Sequence, residues 1–273
     1  MLHCLKRRAV VPASAVALLV TTAGVAVAQD VTGTNGNDRL RGTAQADTFH
    51  ALAGNDRVRA FAGDDAADLG AGNDRAWAGR GADHIRGELG RDRIHGGRDN
   101  DVLEGLAGPD RLFGGPGDDQ LTGDIAEVGD LVSRDRIFGG RGNDTTLGGD
   151  GRDLQVGGHG DDVQRGEAGN DRLINNQGRD TAFGGPGNDQ LWALAKVDVD
   201  GPADLAGDAL YGEDGNDRFF VRDGEQDIVD CGPGFDRVRA DGMDVVDSSC
   251  EVVRRRAPGP HESAPEDRAD IGG

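Results

Sequence analysis

Apolar side chains recur along this chain as single positions nine residues apart, each with polar neighbours on both sides. The series runs Leu40, Phe49, Val58, Ala67, Ala76, Ile85, Ile94, Leu103, Leu112 and Leu121, then Ile137, Leu173, Ala182 and Leu191. Such a triplet suits a three-residue strand whose middle side chain points inward and whose outer two point out. A second period of eighteen is laid over the first. The residue before the apolar position is Arg in alternate units (Arg39, Arg57, Arg75, Arg93, Arg111), whereas the intervening units carry Thr48, Ala66, His84, Val102 and Gln120. A plain nine-residue repeat would not separate these sets; two different faces would. Thr146, Gln155 and Gln164 occupy three successive inward positions. Either these groups hydrogen-bond inside, or the strands slip by one residue and turn Leu154 and Val156 inward.

An aspartate stands two positions before each inward position. The set is Asp38, Asp47, Asp56, Asp65, Asp74, Asp83, Asp92, Asp101, Asp110 and Asp119, then Asp135, Asp144, Asp153, Asp162, Asp171, Asp180 and Asp189, and finally Asp208, Asp217 and Asp236 at irregular spacing. Glycine usually stands two residues before each. Gly114-Gly115-Pro116-Gly117-Asp118-Asp119-Gln120-Leu121-Thr122 and Gly184-Gly185-Pro186-Gly187-Asn188-Asp189-Gln190-Leu191-Trp192 are the clearest units. Both read G-G-x-G-x-D-x-U-x, with U a large apolar residue. Glycine tolerates the positive φ that a six-residue loop needs. Gln45, Asp99, Ser133 and Ala206 replace the glycine two before the aspartate, so those loops are expected to bind more weakly.

These units resemble the RTX, or haemolysin-type calcium-binding, nonapeptide repeats over roughly residues 33–239. The resemblance implies an all-β, right-handed parallel β-roll in which two nonapeptides make one turn and alternate units stack in two facing sheets. It also implies calcium ions held between successive loops, with the aspartates above as ligands and loop carbonyls completing the shell. The donor chemistry agrees, because calcium takes six to eight oxygens in flexible geometry, whereas magnesium wants a strict octahedron and zinc wants His or Cys.

Composition explains why such ions would matter. The chain has 47 Gly, only 11 aromatic residues, and 50 acids against 30 bases, for a net charge of −20. Little apolar surface is available to offset the entropy of ordering the backbone, so ion binding is expected to supply much of the folding free energy. The negative charge also argues against a nucleic-acid partner. Pairs two units apart (Asp38/Asp56 through Asp101/Asp119, and Asp135/Asp153 through Asp171/Asp189) give thirteen candidate sites, and 26 positive charges would nearly balance the mature chain.

The ends read differently. Lys6-Arg7-Arg8, the apolar stretch Ala9–Val20 and Ala26-Val27-Ala28 form an export signal over residues 1–28, cleaved before Gln29. A secreted protein with no stable membrane insertion is expected. Residues 29–218 form the expected roll, 219–253 a capping region, and 254–273 a disordered tail. Cys231 and Cys250 remain after cleavage and favour a disulfide. Residues 123–138 and 193–211 lengthen two units and read as surface loops.

No catalytic constellation emerges, and the favoured class is a non-enzymatic calcium-binding protein. The alternative is an adhesin or interaction module, with a β-helical glycan-active enzyme behind both. An interaction module would use the outer face of one sheet, where Trp77, Phe113, Phe138 and Trp192 stand beside Arg75, Arg93 and Arg111 as a docking stripe for a glycan or protein. The opposite sheet is expected to lack such a stripe. Otherwise the rings and guanidinium groups form a cation–π ladder that stiffens the sheet.

Overall fold

A computed structural model describes residues 27–124, 133–194 and 207–257. The export signal falls almost wholly outside these residues, as does most of the expected tail. Short strands alternate between two all-parallel sheets, making a β-solenoid of about eleven turns, with no helix among the described residues. One sheet starts at Asp30–Thr32 and ends at Val245–Val246; the other starts at Arg39–Arg41 and ends at Val252–Arg255.

Register follows the eighteen-residue period. Arg39, Leu40 and Arg41 pair with Arg57, Val58 and Arg59, which pair in turn with Arg75, Ala76 and Trp77. Every triplet as far as Arg237–Ala240 has a buried middle residue, and the whole apolar series named above lies between the sheets. The arginine-bearing units build one sheet and the intervening units the other, so the eighteen-residue period is the period of the turn.

The polar positions keep this register. Gln155 pairs between Ile137 and Leu173, and Thr146 and Gln164 between Leu121 and Ala182. All three are fully buried. The Thr146 hydroxyl donates to Gln155 Oε1 at 2.5 Å, while Gln155 Nε2 donates to the Arg165 carbonyl at 2.6 Å and Gln164 Nε2 to the Ile174 carbonyl at 3.1 Å. Local partners make the slip unnecessary. Leu154 and Val156 stay outside, packed against Ile174 and Trp192.

Two boundaries differ from expectation. Arg218–Val221, Ile228–Asp230, Arg237–Ala240, Val245–Val246 and Val252–Arg255 all add to the same two ladders, so residues 219–253 continue the stack. Arg254 and Arg255 belong to the last strand rather than to a tail. The Arg255 Nη1 donates to the carbonyls of Asp241 and Asp244 at 2.7 and 3.2 Å, which ties that strand down. The Cys231–Cys250 disulfide joins these final turns.

Candidate metal centre

The loops on each edge carry one aspartate per turn, and stacking brings these into two columns. One runs Asp38, Asp56, Asp74, Asp92, Asp110, Asp135, Asp153, Asp171, Asp189, Asp217 and Asp236. The other runs Asp47, Asp65, Asp83, Asp101, Asp119, Asp144, Asp162, Asp180 and Asp208. In each step the backbone N–H of one aspartate donates to Oδ1 of the aspartate one turn on, at 2.6–2.9 Å. That bond fixes the carboxylate. All twenty aspartates are buried.

The columns run unbroken across both lengthened units. Asp110 and Asp135, like Asp119 and Asp144, are joined over 25 residues, and Asp180 and Asp208 over 28. The extra residues leave between strands, and the ladder closes behind them. Sequence spacing had broken the series there. It also stopped short of three members. The N–H of Asp208 donates to Asp227, that of Asp227 to Asp244, and that of Asp236 to Glu251 Oε2. Each of these acids stands two positions before a valine (Val229, Val246, Val253), which is the surviving part of the motif once the glycines are lost.

The second oxygen points elsewhere. Oδ2 of Asp56, Asp65, Asp74, Asp83, Asp92, Asp101, Asp110 and Asp119 is buried and accepts no hydrogen bond from the protein. The same holds for Asp144, Asp153, Asp162, Asp171, Asp189, Asp217 and Asp236. Buried polar atoms are normally satisfied, so an entire row of such oxygens marks a place for a cation. Three members are served by the chain itself. Thr34 and Thr43 donate backbone N–H bonds to Asp38 Oδ2 and Asp47 Oδ2 at 2.6 and 2.5 Å, and the Ser133 hydroxyl lies 3.0 Å from Asp135 Oδ2.

Glycine makes the space around each oxygen. A Cβ on Gly114 would run into Asp119 Oδ2 and sit 2.6 Å from the Gly139 carbonyl oxygen, so carboxylate and carbonyl converge where the side chain is missing. Gly81, at φ +115°, lies so close to the Gly63 carbonyl that no side chain fits. The result is an all-oxygen donor set without His or Cys. It fits calcium.

Burial raises these carboxyls, the N–H bond from the neighbouring turn opposes it, and adjacent carboxylates add to it. Asp74 is pushed up to about 6, Asp83 and Asp92 to about 7, Asp101 to about 8 and Asp110 to about 9. Without a cation, these carboxyls hold protons more readily than free aspartates do.

The RTX calcium-binding nonapeptide repeat model, four copies long, matches residues 32–67, 59–94, 68–103, 95–125, 133–155, 156–173, 174–195 and 206–225. The chain belongs to the RTX calcium-binding repeat family. No curated protein matches it. The RTX matches end at residue 225, before the last turns of the solenoid.

The aromatic stripe forms a stacked ladder. Trp77, His95, Phe113 and Phe138 stack in sequence at centroid distances of 6.1, 4.5 and 5.1 Å, and Arg59 and Arg93 lie over Trp77 and Phe113. Trp192 stacks on Phe220 at 4.9 Å. Each ring stacks on a neighbour one turn away. Nor is the device confined to this sheet: on the other, Phe183 stacks on Tyr211 at 5.0 Å, with Arg165 over Phe183 at 4.4 Å.

Proposed function

We propose that this is a secreted, non-enzymatic RTX protein whose roll forms as calcium fills the two aspartate columns. The row of buried Oδ2 atoms without donors carries the reading. Secretion rests on the basic, apolar and small-residue segments of residues 1–28. Extracellular calcium sites have dissociation constants of roughly 10⁻⁴–10⁻³ M, so such a chain stays unfolded inside the cell and folds outside. Equilibrium dialysis of the mature chain should find several calcium ions per molecule at millimolar calcium, undisplaced by equal magnesium. Mass spectrometry of culture supernatant should place the N-terminus at Gln29. Absence of bound calcium at that concentration would overturn the reading.

A second reading, an interaction module, is favoured by one groove. It measures about 960 Å³ and runs along the first aspartate column, with Asp74, Asp92, Asp110, Asp135 and Asp153 in its lining and Arg75, Arg91, Arg93, Arg111, Arg134 and Arg152 beside them, so an anion would bind there only over calcium-filled loops. Guanidinium groups arrayed along the strand-stacking direction, on a chain of net charge −20, suit a linear anionic glycan. Arg91, Arg134 and Arg152 hold the loop position that other turns give to Asn55, Asn73, Asn170 and Asn188, whose side chains bond up the stack. Replacing all three by Asn therefore preserves the fold. Retention on a sulfated polysaccharide in calcium buffer should be lost in that variant with circular dichroism unchanged; wild-type protein that is not retained would exclude the reading.

A further inference from the structure

The connection from Arg218–Val221 to Ile228–Asp230 departs from every other loop. Where the repeats place glycine, it reads Arg222-Asp223-Gly224-Glu225-Gln226-Asp227. Aligned on Asp227 as the column aspartate, Asp223 takes the place of the second glycine of the motif and Glu225 that of the third. One carboxylate oxygen from each of Asp223, Glu225 and Asp227 lies within 4.8 Å of the other two. Glu225 and Asp227 are buried, at 5% and 0% exposure. Asp227 Oδ1 is occupied by the N–H of Asp208 at 2.8 Å, but Asp227 Oδ2 is buried without a donor.

We infer that Asp223, Glu225 and Asp227 form a carboxylate-rich divalent-cation site of a different kind from the repeat sites, and that it binds calcium more tightly than they do. A repeat loop offers one carboxylate and supplements it with backbone carbonyls. This loop brings three carboxylates together, and ligand charge count is a principal means by which oxygen sites raise calcium affinity. Two neighbours hold the loop in shape. Asp241 Oδ2 accepts the N–H of Gly224 at 3.0 Å, and Asp244 Oδ1 that of Asp227 at 3.3 Å. The inference takes its choice of ion from the calcium reading of the columns, while the site itself stands on these side chains.

The location gives the site a role. It lies at the end of the last matched repeat segment, one strand before Cys231 of the disulfide. An ion held there orders the C-terminal end first and offers the weaker repeat loops a finished turn on which to stack.

The test is a calcium titration of the full mature chain by calorimetry. Wild type should show one binding event at least tenfold tighter than the remaining class. Glu225→Gln and Asp223→Asn should each remove that event and leave the weaker class, whereas Asp74→Asn, far along the other column, should leave it intact. Hydrogen exchange on wild-type protein reads the same idea without a variant: amides of residues 223–253 should gain protection at about tenfold lower calcium than those of residues 48–113. A single uniform binding class, or simultaneous protection of both regions, would overturn the inference while leaving the calcium reading standing. No calcium binding anywhere would remove both.

Discussion

Withdrawing calcium with EGTA at neutral pH should abolish the strand signal in far-ultraviolet circular dichroism, and millimolar calcium should restore it. Each turn adds one carboxylate to each column, about 4.8 Å from the next. At that separation two ionised carboxylates repel by about 3 kcal/mol at an effective dielectric near 20. The core has little to set against this, since inward positions such as Ala67, Ala76 and Ala182 are small and Thr146, Gln155 and Gln164 are polar. Calcium turns the repulsion into attraction and meets the unsatisfied Oδ2 atoms together. Loss of signal should be cooperative over neighbouring turns, because each carboxylate is held by the turn beside it. A chain that keeps its strands in EGTA would show that sheet pairing and the core suffice, and the proposed coupling would fail.

Acid should partly replace calcium. In EGTA, strand signal should be greater near pH 5 than near pH 8. The sign follows from the raised carboxyls. Asp74 at about 6, Asp83 at about 7, Asp101 at about 8 and Asp110 at about 9 all hold protons in the fold more strongly than in the unfolded chain, where the ordinary value is 3.8. The folded state thus binds more protons between about pH 4 and pH 9, and its stability falls as pH rises through that window. With calcium present the trend reverses for binding: the ion competes with those protons, so its apparent affinity should rise with pH. The calcium midpoint measured by circular dichroism should be at least tenfold lower near pH 8 than near pH 5. A midpoint that does not move would mean that the column carboxylates are ionised before calcium arrives, and that burial does not govern them.

Both predictions rest on features that were legible to very different degrees. The nine- and eighteen-residue periods determined which side chains point inward, which strands share a sheet, and where the aspartates lie, because a strand's side-chain direction is a local property. The Leu40-to-Leu121 series and the aspartates of the regular runs, Asp38 to Asp119 and Asp135 to Asp189, therefore fall where the periodicity puts them. The cysteine pair, too, was legible from the count alone.

Other features depended on what lies one turn away, a distance in the chain that varies from 15 to 28 residues. Periodicity cannot carry a contact across such changes. Only the stacked structure joins Asp119 to Asp144 and Asp180 to Asp208 across the lengthened units, and only there do Asp227, Asp244 and Glu251 extend the columns without the glycines that mark the motif. It also decided the fate of Gln155 and Gln164, whose inward placement depends on carbonyls of Arg165 and Ile174 ten residues further on. Whether Trp77, His95, Phe113 and Phe138 touch one another depends on strands one turn apart; register, by setting each ring against the next, stacked them into a ladder.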